Sequence, residues 1–120
     1  MTERANTGPS LELRPAERLV LVDGRGLALS AREVGLLAEL LAGRGHVITR
    51  ETLYRTVWGS APRQHDRSVD VYVHRLRSKL AAAAPGWSFI HTHFGLGYRL
   101  DPVRSPGFHN PVTSPQQASA

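Results

Sequence analysis

Cysteine is absent from this 120-residue sequence. Its absence removes disulfides, zinc–thiolate sites and thiol nucleophiles, and makes a reducing cytoplasm the expected setting. Lysine is nearly absent too. Lys79 is the only one, so arginine supplies the other 14 of the 15 cations, and its planar fork suits phosphates and base edges better than an ammonium does. No apolar run approaches the ~18 residues of a membrane span, and the opening MTERANTGPS has no signal-peptide core, so no membrane partner is expected. No P-loop, dinucleotide-type glycine pattern or nucleophile–base pair is present, so neither an enzyme nor a cofactor is expected. Acidic residues are scarce in one stretch only. Residues 1–41 hold 5 Arg/Lys against 6 Asp/Glu, whereas residues 42–104 hold 10 against 4. The net charge of +5 therefore resides in the second stretch, which favours a polyanionic partner.

What is present is enough for one domain with tails. Residues 1–10 read as a disordered leader, 11–102 as the folded domain, and 103–120 as a disordered tail rich in Pro, Ser and Gln. Short extended segments are expected at Leu11–Leu13, Leu19–Val22 and Leu27–Leu29, with Asp23-Gly24 as a turn. Ser30-Ala-Arg-Glu33 is a capping box, followed by Val34, Leu37, Ala38 and Leu41 at helical spacing and by the terminating glycines Gly43 and Gly45. His46–Ile48 leads to a second cap, Thr49. A helix over Arg50–Trp58 then buries Leu53 and Val57, with Tyr54 and Trp58 as an i, i+4 pair. The loop Gly59–His65 follows. Trp87–His93 alternates as a strand, Phe94–Gly97 turns, and Tyr98–Leu100 returns.

Between loop and hairpin lies DRSVDVYVHRLRSKLAAAA, a helix expected from the cap Asp66 to Ala84. Val69, Val73, Leu76 and Leu80 form one apolar stripe. The opposite side carries Arg67, Val71, His74, Arg75 and Ser78, with Tyr72 and Lys79 on one flank and Asp70 and Arg77 on the other. A merely solvated face has no need of Val71 among its basic residues. In a DNA major groove arginine reads guanine O6 and N7, and a small apolar side chain meets the thymine methyl. His91 and His93 share a strand face at metal-like spacing, but no third ligand fits the pattern. No metal is expected, and the pair belongs better at a DNA-facing wing. Asp70 is expected as an i, i+4 partner of His74.

Three helices followed by a β-hairpin define an α+β winged helix-turn-helix. The stretches LALSAREVGLLAELLAGRGHVITRETLYRTVWG, DRSVDVYVHRLRSKL and FIHTHFGLGYRL together resemble the effector domain of OmpR/PhoB-type transcriptional regulators, over residues 11–101. The resemblance implies a four-stranded N-terminal sheet, a third helix in the major groove of double-stranded DNA and a hairpin wing in the adjacent minor groove. It implies groove or backbone contacts for Arg67, Val71, His74, Arg75 and Arg77, and phosphate contacts for Arg50, Trp58, Tyr72 and Thr92. Ser78, Lys79, His93 and Phe94 complete the expected DNA-binding set. The loop Gly59, Ser60, Ala61, Pro62, Arg63, Gln64 and His65 is implied to face RNA polymerase. Direct repeats and a head-to-tail dimer on DNA are implied as well.

Three departures stand out. His74 occupies a position where family members often have a basic residue, and Phe94 one where they have a wing arginine. Such regulators usually carry an upstream receiver domain, whereas here the effector-like stretch begins close to Met1; the expectation is a whole small protein without a receiver. Sequence-specific regulation of transcription is thus the expected function. The alternative is a winged-helix adapter that binds polymerase or another regulator without reading bases. With ~4–6 phosphates neutralised per protomer, a salt slope of roughly −4 to −5 is expected.

Overall fold

A computed structural model describes residues 8–105. Its elements run β1 (Leu11–Arg14), β2 (Leu19–Val22), β3 (Arg25–Ala28), α1 (Ala31–Ala42), β4 (Val47–Thr49), α2 (Arg50–Trp58), α3 (Ser68–Ala83), β5 (Trp87–His93) and β6 (Gly97–Arg104). A 3-10 turn at Pro15–Glu17 separates β1 from β2. No helix among the described residues is long and apolar enough to cross a membrane.

Strands β1, β2 and β3 form an antiparallel sheet in which Leu11 faces Val22 and Leu19 faces Ala28. The β2–β3 turn is Asp23-Gly24, with φ of 50° and 83°. Two positive φ values match the right-handed twist of the strands, which is why Asp-Gly favours such hairpins. The sheet holds three strands among the described residues where the resemblance implied four. The third begins at Arg25, two residues before the expected Leu27, because the tight turn lets pairing start at Val22↔Arg25.

Helix α1 begins at the expected capping box, with Ser30 Oγ accepting from the Glu33 amide and Glu33 Oε1 accepting from the Ser30 amide. Its buried face is rotated from the expected one. Glu33, Leu36, Leu37 and Leu40 are buried, whereas Val34, Ala38 and Leu41 are half-buried. Positions 33, 36, 37 and 40 are themselves spaced i, i+3, i+4, i+7. A carboxylate at the head of that stripe hid it. Helix α2 has the expected bounds, with Thr49 Oγ1 capping the Thr52 amide and Gly59 at φ 84° closing it, but of the two residues expected to be buried only Leu53 is. Val57 is half-buried and packs so tightly on α1 that a Cβ on Gly35 would lie 3.1 Å from it.

Helix α3 starts one residue later than expected. Arg67 holds the cap position without a side-chain bond, and Asp66 acts upstream, its Oδ1 accepting the Ser68 amide at 2.8 Å. Because Arg67 and not Asp66 holds the cap position, this bond closes an Asx turn just ahead of the helix. The stripe Val69, Val73, Leu76 and Leu80 is buried as expected, in a core shared with Val20, Val22, Leu36, Leu37, Leu40, Leu53, Phe89, Ile90, Tyr98 and Leu100. Strands β5 and β6 form the hairpin, and β4 joins β6 on its other side, giving the order β4-β6-β5. Strand β6 passes the expected domain end at 102 and continues to Arg104, after which the Ser105 amide donates to the Gly86 carbonyl. At the other end the Ser10 amide donates to Asp23 Oδ1. The expected disorder of residues 1–7 and 106–120 lies outside the described residues.

Candidate nucleic-acid interface

With its apolar stripe sunk in the core, α3 turns Arg67, Val71, His74, Arg75 and Ser78 outward, all five exposed. Val71 keeps 44 % of its surface, among the cations. The structure therefore brings together the central five residues singled out from sequence. Arg67 touches Asp70 only at 3.5 Å, and its side chain is otherwise open to solvent.

The flanks of the helix behave differently. Asp70 bonds Arg50 Nε at 2.8 Å and the Tyr98 hydroxyl, and does not pair with His74. It points toward the start of α2 and the hairpin, where Arg50 and Tyr98 offer donors with less exposure than His74 does. Burial alone would raise the Asp70 carboxyl, but the bonds from Tyr98 and Arg50 outweigh it and hold the group below the ordinary carboxylate range. Burial raises the Tyr98 phenol, and its hydrogen bond to Asp70 raises it further.

Arg77, expected at the groove, is turned into the fold. Its Nε donates to the Ile90 carbonyl at 2.9 Å, its Nη2 donates to Thr92 Oγ1, and the guanidinium lies over the Tyr98 ring. Arg77 and Thr92 thus bind each other and fasten α3 to β5. Lys79 is also turned inward. Its Nζ donates to the Ala28 carbonyl at 3.0 Å and to Glu33 Oε1 at 2.7 Å. Glu33 is only 2 % exposed, and a buried carboxylate demands a counter-charge. Burial would raise its carboxyl, yet the Lys79 ammonium and the Ser30 amide bring it below the ordinary value. Helical projection alone could not show that a buried acid on α1 would claim Lys79.

Aromatic residues form a band beside the exposed face. Trp58 stacks on Tyr54 with centroids 4.8 Å apart and planes 5° apart, and meets Tyr72 edge-on at 5.7 Å. Arg32 lies over the Trp58 ring at 4.7 Å, a partner the sequence did not reveal because no local spacing links α1 to α2. Trp58 and Tyr72 are half-buried.

In the hairpin, His91 Nε2 bonds the Asp101 carbonyl at 2.7 Å, and His93 Nε2 accepts from Arg99 at 3.2 Å. No group of three metal-ligating side chains occurs among the described residues. Phe94 is 89 % exposed at the tip, with Leu96 beside it. The tip is held firmly: the Leu96 amide donates to the His93 carbonyl, and its own carbonyl accepts the Arg50 amide. A Cβ on Gly97 would lie 2.0 Å from the Ile48 carbonyl oxygen, so this close approach requires glycine. The loop 59–65 is exposed except at half-buried Pro62, with His65 at φ 61° and the Asp66 amide bonded to the Arg63 carbonyl.

A family model described as transcriptional regulatory protein, C terminal, matches residues 24–100. The transcriptional regulatory protein CreB of Escherichia coli is 45 % identical over 74 residues, which are 62 % of this chain and 32 % of that protein. The transcriptional regulatory protein AfsQ1 of Streptomyces coelicolor is 37 % identical over 101 residues, 84 % of this chain and 44 % of that protein. The chain therefore spans about a third to a half of the length of these curated relatives. Among solved structures, the DNA-binding domain of RstA from Klebsiella pneumoniae, in complex with the RstA box, superposes with a TM-score of 0.67 at 34 % identity. That match covers 81 % of this chain and 95 % of the RstA domain.

Proposed function

This chain belongs to the family of transcriptional regulatory protein C-terminal domains, and on that footing we propose that it binds double-stranded DNA in a sequence-specific way to regulate transcription. One observation carries the proposal. The core holds α3 by one face and leaves Arg67, Val71, His74, Arg75 and Ser78 exposed on the other, the mixture of forked cations and one small apolar group that a major groove accommodates. Arg75 and Val71 read base edges; Arg50, beside Asp70 on one flank of the helix, and Trp58, beside Tyr72 on the other, meet phosphates. The hairpin tip lies on the minor-groove side, and the loop 59–65 is the surface for RNA polymerase. Two copies bind head to tail on direct repeats about one helical turn apart.

The test is to select bound DNA from a random pool with the 120-residue chain in modest salt. Enrichment of a motif repeated in the same orientation supports the reading, and enrichment of none overturns it. A second reading rests on Phe94. Its 89 % exposure at a rigid tip suits an adapter that docks a protein through the wing. An absence of any selected motif, together with binding to RNA polymerase in a pull-down, is the outcome that adapter reading requires.

A further inference from the structure

A long exposed side chain loses rotamer freedom when it docks, and that loss weakens the contact. Arg75 is exposed but not free. Its guanidinium carbon lies 4.9 Å over the ring of Tyr72, three residues back on the same helix and therefore on a neighbouring surface position. Tyr72 is braced in turn. Trp58 presents to it at 66°, the T-shaped arrangement aromatic pairs favour, and Trp58 is itself stacked on Tyr54. Arg32 lies over Trp58, with its Nη1 anchored on the Val57 carbonyl at 3.0 Å. The contacts form one ladder from α1 through α2 to the middle of the exposed face of α3. Among the described residues the Tyr72 hydroxyl has no hydrogen-bond partner, so the ring, not the phenol, is what the fold uses.

We propose that Tyr72 is a positioning residue for base recognition: its ring, braced by Trp58, pre-orients the Arg75 guanidinium and so sets discrimination at the base pair Arg75 faces. The inference rests on the DNA-binding reading above and adds to it the residue that determines specificity without touching the base. It also distinguishes the ring of Tyr72 from the phosphate contact that the family resemblance implies for this residue.

The test uses the full chain on its selected site and on single-base-pair variants of it, with Tyr72→Phe, Tyr72→Leu, Arg75→Ala and the Tyr72→Leu/Arg75→Ala double variant. Tyr72→Phe keeps affinity and discrimination. Tyr72→Leu lowers discrimination about threefold to tenfold at one base pair of each half-site, as expected for losing one cation–π contact, and leaves the other positions unchanged. In the Arg75→Ala background the same change costs no further discrimination. A uniform loss across all sequences from Tyr72→Phe assigns the hydroxyl to a phosphate and overturns the proposal, as does a uniform loss from Tyr72→Leu alone. If Tyr72→Leu does not fold, the wild-type chain still decides: the Arg75 δ-methylene protons must show an upfield ring-current shift in the free protein, and random-coil positions refute the ladder. Failure of the wild type to select any sequence counts against the DNA reading itself, a different result from selection that ignores Tyr72.

Discussion

Arg75 and Arg50 carry the same charge, and their surroundings predict different consequences of removing it. Among the described residues Arg75 is bonded to no carboxylate, and it stands in the middle of the exposed face of α3. Arg75→Ala should cost ~1–3 kcal/mol of binding and relax the preference at one base pair of each half-site. Arg50 lies at the first turn of α2 and is already bonded to Asp70, so Arg50→Ala should weaken all sequences about equally. Titrating the chain with matched and mismatched duplexes separates the two. Buried charge makes a second prediction. The carboxyls of Glu33 and Asp70 are both lowered in the fold relative to their ordinary values. A lowered folded value means the unfolded chain binds protons first, so the stabilisation is fully present above the ordinary carboxylate range, ~4, and is lost as pH falls through the folded values. Thermal midpoints should therefore hold near neutrality and drop on acidification. Lys79→Ala strands the Glu33 carboxylate and should cost about 2 kcal/mol, less than the ~3–5 of a fully buried pair because the Lys79 side chain is 39 % exposed. Unchanged stability in Lys79→Ala would show that Glu33 needs no counter-charge. Neither pair was legible in the sequence, because 33 and 79, like 50 and 70, share no local spacing.

Elements were legible where a single pattern had a single cause. The stripe on α3 contains four aliphatic residues and no interruption, so its buried face was read correctly, and the caps at Ser30 and Thr49 announced α1 and α2. The face of α1 was misread because its true stripe opens with Glu33. The start of α3 was placed at Asp66 because an aspartate before a helix serves equally as an N-cap or as an Asx turn, and only the backbone distinguishes them. The hairpin was legible from its glycines, but its attachment to β4 was not, since that pairing joins residues about fifty apart. That attachment matters for what the wing can do. A tip clamped at Gly97 and at the Leu96 carbonyl presents Phe94 in a fixed place rather than on a swinging loop. Phe94→Arg should then tighten binding to sites flanked by A·T tracts, where the narrow minor groove concentrates negative potential. Gel shifts on flank variants at low salt provide the check. Unaltered affinity would place the wing off the DNA and favour a protein contact for Phe94.

Across the whole molecule, the basic excess of residues 42–104 is real, but the fold spends part of it internally. Arg77 is committed to the Ile90 carbonyl and Thr92, Lys79 to Glu33 and Ala28, and Arg99 to Asp101 and His93. Counting cations along the sequence therefore overstates how many reach a phosphate. Arg67, Arg75 and Arg63 remain exposed on or beside the recognition face, and Arg50 is shared with Asp70. With ~3–4 phosphates neutralised per protomer, log K should fall with log[salt] at a slope of roughly −3 to −4, shallower than the sequence alone predicts. The measurement is affinity for one half-site across a series of salt concentrations. On a two-half-site duplex the slope per bound protomer should be the same, because a head-to-tail neighbour adds its own phosphate contacts and not a share of the first protomer's. A slope as steep as −5 would mean that cations beyond these reach phosphates on binding, and a slope near zero would remove the electrostatic basis for any DNA role.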